Sequence, residues 1–366
     1  MQRKSVIEFV LKVLLLSLSL PIVVFINYTV DPLQFYRKMT IMKPILYDQE
    51  RYQNPGLAKN YPYDTVIIGT SMTENISPKY IKQKMGLNCI KLPIAGSTIK
   101  EQNMILNVAV KTGKVKNAIW GLDFSSFKGT PGTVRDEDVA FPYFLYDDDL
   151  LNDYKYLVNC NTTEQLINIL QANLTHKQLD INQMLENYRR WDINCTFSKK
   201  NAINGYKDIV KNITKEKRIG FEWNNLKKNI DNNFISMVKS HPEVKFYVFF
   251  TPSSILAHKY FNELSPDIFE NELKSKKYIV KQCEALKNVK IYDFQSTKEI
   301  IFNLDYYTDQ SHHNNKVNKI IIDSLAEGKN VVTNKNIDHN LMLLKSWVKN
   351  LKVGNNDIRL IDSTIH

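Results

Sequence analysis

Cysteine is scarce. The 366 residues contain four, Cys89, Cys160, Cys195 and Cys283, and none has Cys-x-x-Cys spacing. A common zinc-ribbon pattern and a disulfide-dense scaffold are thereby excluded. Cys89 and Cys283 sit in apolar surroundings and read as core residues. Cys160 and Cys195 share one polar stretch, which leaves a bridge open if that segment meets an oxidising compartment. Long apolar runs are nearly absent too. There is one, which together with a mean hydropathy of −0.33 argues against a multi-span membrane protein. Acidic residues are in deficit: 49 Lys and Arg face 38 Asp and Glu, a net charge of +11. That charge suits a polyanionic partner, although a solvated basic surface is the simpler account. No internal repeat is visible. With 43% hydrophobic and 24% charged residues, the chain reads as one large or two modest globular domains and not as a disordered one.

The one apolar stretch covers Ser5 to Tyr28, is uninterrupted from Val13 to Ile26, and follows Arg3 and Lys4. This is the layout of a signal peptide or a single anchor. No small-x-small cleavage site follows, so the expectation is an uncleaved transmembrane helix within residues 1–30. Glu8 and Lys12 lie i, i+4 near its start and can pair or snorkel. The basic residues before the span place the N-terminus in the cytoplasm. The rest of the chain is then extracytoplasmic and held at the plasma membrane. Nucleic acid is disfavoured as a partner, since no binding motif accompanies the charge.

Residues 31–62, with several prolines and tyrosines, read as a linker. From 63 to 330 short apolar strands alternate with helices. The strands are expected at 65–68, 88–92, 117–122, 245–250 and 289–294, with helices near 77–85, 100–112, 268–286 and 314–327. That alternation predicts an α/β fold with a mainly parallel five-stranded sheet. Residues 124–221 interrupt it as a polar, aromatic, mostly helical insertion, expected to act as a lid over the sheet. Within it Asp147-Asp148-Asp149 offers carboxylates to a cation, though a solvated loop or helix N-terminus is the simpler reading. Residues 331–366 form a C-terminal extension with one amphipathic helix, 341–351. The sequence carries no cofactor motif and no metal-ligand set.

In an open α/β sheet ligands bind at the carboxyl ends of the strands. The first expected strand ends at Gly69-Thr70-Ser71-Met72, where a serine on a strand-to-helix turn presents its hydroxyl and the helix start favours negative charge. The other reading of Ser71 is a cap on that helix. The second strand leads to Gly96, where a backbone N–H can approach a ligand closely. The third ends at Gly121-Leu122-Asp123. Far downstream, Asp309 and His312 are spaced Asp-x-x-His just before the last helix of the domain. A carboxylate there can orient an imidazole that deprotonates a serine. His312 could instead be structural, with His313 beside it.

Taken in that order, these blocks resemble the SGNH/GDSL hydrolase superfamily. The branch they resemble most is the membrane-anchored, DltD- and alginate-acetylation-like one of bacterial envelopes. The likeness covers about residues 60–125 and 243–327, with Ile67-Ile68-Gly69-Thr70-Ser71-Met72-Thr73-Glu74-Asn75 similar to the nucleophile block. The resemblance implies a flavodoxin-like three-layer α/β/α fold and a catalytic triad of Ser71, Asp309 and His312. It also implies an oxyanion hole from the N–H groups of Ser71 and Gly96. Two positions depart from the pattern. Thr70 stands where the family has aspartate, and Asp123 where it has an asparagine that donates to the oxyanion. A carboxylate at 123 repels an oxyanion unless it is protonated or turned away. Asn75, a nearby amide, is the candidate replacement donor.

The function expected from the resemblance is a membrane-anchored serine O-acyltransferase or esterase working through acyl-Ser71. Its expected partners are an anionic cell-envelope glycan or teichoic acid and an MBOAT-type membrane acyltransferase. The alternative is a catalytically degenerate binding or assembly subunit of an envelope polymer-modifying complex. Tyr143, Tyr146, Trp191 and Trp223 are candidate sugar-stacking residues, with core packing as the other reading.

Overall fold

The computed structural model describes residues 2–135, 140–175 and 180–361. The chain divides into two compact units, Met1–Pro62 with Val139–Leu185 and Tyr63–Asp138 with Glu186–His366.

The second unit carries the sheet. Its strands are β1 (Thr65–Ile68), β2 (Cys89–Lys91), β3 (Asn117–Leu122), β4 (Lys245–Phe250) and β5 (Val289–Asp293), in the order β2-β1-β3-β4-β5. All four pairings are parallel. Parallel strands are covered on both faces and so read as continuous apolar runs. Every residue of β1 and β3 is buried, and Trp120 in β3 is fully so. Its indole N–H donates to Gln102 Oε1 at 2.7 Å, which satisfies the one polar atom that burial would otherwise strand. Helices Pro78–Met85, Ile99–Lys111, Pro266–Cys283 and Asn315–Glu327 follow the strands as the pattern predicts. The C-terminal helix is Ile337–Asn350, and an unforeseen antiparallel hairpin, Leu351–Val353 with Ile358–Leu360, comes after it.

The first unit departs further from the sequence reading. Residues 31–62 are no bare linker. Glu50–Asn60 is a helix with eight buried residues, among them the polar Gln53 and Asn54. The stretch 124–221 is not one block either, since 139–185 clusters with the N-terminal residues and 186–221 belongs to the sheet unit. Residues 136–139 and 176–179 of that stretch lie outside the described residues. The aspartate triplet contains a helix cap, with Asp149 Oδ1 accepting from Leu151 N at 3.0 Å. Among the described residues no group of three or more His, Cys, Asp or Glu could hold a metal ion. Cys160 and Cys195 are free thiols.

The expected N-terminal transmembrane helix is corrected. Gln2–Val30 is helical, but among the described residues no helix is long and apolar enough to cross a membrane. The run from Val13 to Ile26 accounts for about 21 Å of helix at 1.5 Å per residue, against roughly 30 Å of hydrocarbon. Beyond it the helix is built into protein. Asn27 is fully buried and its amide donates to Leu157 O and Thr163 Oγ1 at 2.8 and 3.1 Å. Val30 packs in a small core with Met39, Leu166 and Ile169. The single-pass topology, the plasma-membrane attachment and the extracytoplasmic placement all rested on that span and fall with it.

Candidate active site

The sheet order makes β1 and β3 the point where successive crossovers leave in opposite directions, the usual place for a ligand. Their carboxyl ends deliver Ser71 and Asp123. After β1 the chain turns through Gly69 into a one-turn helix, Ser71–Glu74. Its cap is Thr70, whose Oγ1 accepts from Met72 N at 3.3 Å. The Ser71 hydroxyl is therefore not spent on capping. As the first residue of the helix, Ser71 also has an N–H with no intrahelical acceptor.

Ser71 Oγ lies 2.9 Å from His312 Nε2. His312 Nδ1 lies 2.7 Å from Asp309 Oδ2. With Nδ1–H donating to the carboxylate, Nε2 is left as the acceptor of the serine proton. The loop that achieves this closes on itself. Asp309 Oδ1 accepts from the amides of Ser311 and His312 at 2.7 and 2.8 Å, and Thr308 N donates to His312 O at 3.0 Å. Helix Lys199–Lys211 supports it from outside. Gly205 lets that helix come so near that a Cβ there would stand 3.1 Å from the Asp309 Cβ.

The electrostatics follow. Burial alone would raise the Asp309 pKa, but the His312 bond and charge, with the two amides, hold it below the usual carboxylate range. Burial alone would lower His312, but the bond and charge of Asp309, with Asp123 adding, hold it above its ordinary value. His313 plays no part in the triad. It is buried against Tyr307, and burial pushes its pKa down to about 4.

Ser71, Gly96, Asp123 and His312 line one cavity of about 210 Å³, together with Thr70 and Thr251. Gly96 has φ +59, and a Cβ there would collide with the Arg135 guanidinium at 2.1 Å. The helix after it is fixed by a capping box between Thr98 and Glu101, so Glu101 is structural. Asp123 accepts hydrogen bonds from the hydroxyls of Thr70 and Thr251. Burial nonetheless holds its pKa above the usual carboxylate range, against those two bonds and the nearby His312.

Asn75 is placed elsewhere. Its Oδ1 accepts from the amides of Trp191 and Asp192 at 3.1 and 3.3 Å, and it does not line the cavity. Its partner Trp191 is the residue whose role the sequence hides. The indole N–H donates to Ser71 O at 2.9 Å, and the ring meets His312 edge-on at 5.1 Å between centroids. Asn75 thus positions Trp191, and Trp191 braces both ends of the Ser71–His312 contact. Of the other stacking candidates, Tyr143 is 51% exposed, with its ring 5.0 Å from that of Phe141. Tyr146 is buried and donates to Arg51 O, and Trp223 lies edge-on to Tyr278.

The blocks that carry the family resemblance are short, and two of their positions are altered, as Thr70 and Asp123. Neither a serine after a strand nor an Asp-x-x-His is specific by itself. No family model matches the chain, and no curated protein matches it. Membership of the SGNH/GDSL superfamily and of its membrane-anchored branch is corrected accordingly, and the envelope glycan and MBOAT-type partners it implied go with it. What stands is an α/β protein with a five-stranded parallel sheet and a serine, a histidine and an aspartate gathered at its switch point.

Proposed function

We propose that Ser71, His312 and Asp309 act as nucleophile, general base and orienting carboxylate of a serine-type esterase or acyltransferase. The observation that carries the reading is the continuous contact from Ser71 Oγ through His312 to Asp309, at 2.9 and 2.7 Å. Those distances are the working range of such a relay. The serine proton passes to Nε2 as Oγ bonds to an ester carbonyl carbon. The carbonyl π electrons move onto oxygen, which the Ser71 and Gly96 amides can receive. Collapse expels the leaving alkoxide, which takes the proton from His312 and leaves acyl-Ser71. Water or another hydroxyl repeats the sequence and regenerates the serine. Burial raises the Asp123 pKa, and in its protonated form that carboxyl no longer repels the oxyanion. The test is labelling by a fluorophosphonate probe. Wild type should label at Ser71, Ser71→Ala should not, and Asp309→Asn should label roughly 10³–10⁴-fold more slowly. An unlabelled wild type refutes the reading.

A second reading is favoured by Asp123 itself. An ionised carboxylate held by two threonine hydroxyls beside Ser71 suits a binding or assembly subunit that never stabilises an oxyanion. On that reading Ser71 stays unlabelled while the cavity still takes a ligand.

A further inference from the structure

The cavity that holds Ser71 has another wall, made by His258, Glu272 and Gln295. These come from helix Ile255–Leu264, helix Pro266–Cys283 and the residues just after β5. The side chains of His258 and Glu272 are 1% and 2% exposed, and Gln295 is buried. His258 Nδ1 lies 2.7 Å from Glu272 Oε1. Gln295 Nε2 donates to Thr251 O at 2.7 Å, which fixes the amide so that Oε1 is the atom left over. His258 Nε2, Glu272 Oε2 and Gln295 Oε1 have no hydrogen-bond partner among the described residues. Three unmatched buried polar atoms on one cavity wall call for an explanation.

Their chemistry is one-sided. In the neutral ring with Nδ1–H given to Glu272, His258 Nε2 offers a lone pair, and the other two atoms are acceptors by nature. All three therefore ask for donors. A hydroxyl supplies one donor and a water two, whereas a primary ammonium supplies three. Charge points the same way. Lys276, one turn along the helix from Glu272, has its charge matched by Asp293 at 3.1 Å, and the ion-pair partner of Glu272 is His258. A carboxylate or phosphate would be repelled there. The ring of Phe261 and the Ala257 methyl add apolar wall for a short carbon chain.

We propose that His258, Glu272 and Gln295 form a subsite for a primary ammonium group carried on a short aliphatic ligand. The proposal goes beyond acyl transfer and holds whether or not Ser71 is ever acylated.

The experiment is calorimetric titration of the full chain with n-propylammonium chloride, 1-propanol, sodium propionate and potassium chloride, in wild type, Ser71→Ala and Glu272→Gln. The ammonium should bind wild type and Ser71→Ala alike, at least tenfold tighter than 1-propanol, with propionate and potassium silent. Glu272→Gln, checked for unchanged circular dichroism, should lose that preference. Equal binding of 1-propanol, or of potassium, overturns the proposal, as does full ammonium affinity in a folded Glu272→Gln. The comparison of ligands on wild type decides the matter even if the variant does not fold. Fluorophosphonate labelling separates the two hypotheses: ammonium binding without labelling leaves this subsite standing and removes the esterase reading, and labelling without ammonium binding does the reverse.

Discussion

Lys91 offers a sharp quantitative test of the ground on which Ser71 stands. It lies in β2, is 2% exposed, and its Nζ donates to Glu74 O at 2.9 Å. Glu74 is the last residue of the one-turn helix that begins with Ser71. Burial pulls the Lys91 pKa from 10.5 down to about 7; Glu186, Glu74 and Asp192 oppose that pull, and Arg190 adds to it. Between those two values the unfolded chain binds a proton that the folded chain does not. Stability therefore rises with pH across that window, by about 1.4 kcal/mol per unit. Between pH 7 and 10 this one group accounts for roughly 4 kcal/mol. Lys91→Met keeps the bulk and removes the titration, at the cost of about 1 kcal/mol for the lost hydrogen bond. Urea unfolding of both proteins, followed by tryptophan fluorescence at unit steps from pH 6 to 10, gives the difference directly. The variant should be the more stable at pH 7 by about 3 kcal/mol, and wild type should draw level or pass it near pH 10. Subtracting the two curves cancels every other titrating group. A difference that stays flat within about 0.5 kcal/mol from pH 7 to 10 would mean that Lys91 is charged in the fold and that the argument from burial is wrong.

Two further outcomes concern the triad. The rate of Ser71 labelling should climb with pH through a midpoint above 6.5, because only neutral His312 accepts the serine proton and Asp309 holds its pKa up. The same group stabilises the fold fully below its unfolded pKa, and that contribution is lost as pH rises through the folded one. A wild-type midpoint below 6.5, or one that Asp309→Asn leaves unmoved, contradicts the assignment. Asn75→Leu should free the amides of Trp191 and Asp192 and let the indole drift from His312. Labelling should slow by about 10- to 10²-fold and unfolding free energy fall by about 1–3 kcal/mol; stopped-flow labelling at unchanged speed would show that Trp191 needs no such support.

The sheet was legible because its strands are covered on both faces. Val66-Ile67-Ile68 and Phe246 through Phe250 are unbroken apolar runs with turn residues at their ends, and a parallel strand leaves no other signature. Ser71 and the Asp309–His312 pair were legible because each is a local arrangement within a few residues of a strand end or a helix start. Asn75 was misassigned for the opposite reason. Its partner lies 116 residues away, and nothing near Asn75 in the chain tells which way its amide turns. His258 and Glu272 escaped altogether, since each sits at an ordinary helical position and only the packing of two helices makes them a pair. Helix Glu50–Asn60 escaped because polar residues bury it, so no apolar period marks it. The first helix misled because its apolar run, about 21 Å long, is too short for a span, and Asn27 just beyond it is buried in protein.

The contact between Ser71 and His312 joins residues 241 positions apart, with β2 through β5 all lying between them. Such a contact closes late, since loop-closure entropy must be overcome before it adds anything. On the proposed reading, a reactive Ser71 is therefore a property of the finished molecule. In a refolding time course the quenching or shift of buried Trp120 should come first, and fluorophosphonate reactivity should appear only with the slowest phase. A chain stalled with its sheet half assembled would carry every residue of the site and yet be chemically silent, and Ser71 labelling would serve as a gauge of completed folding.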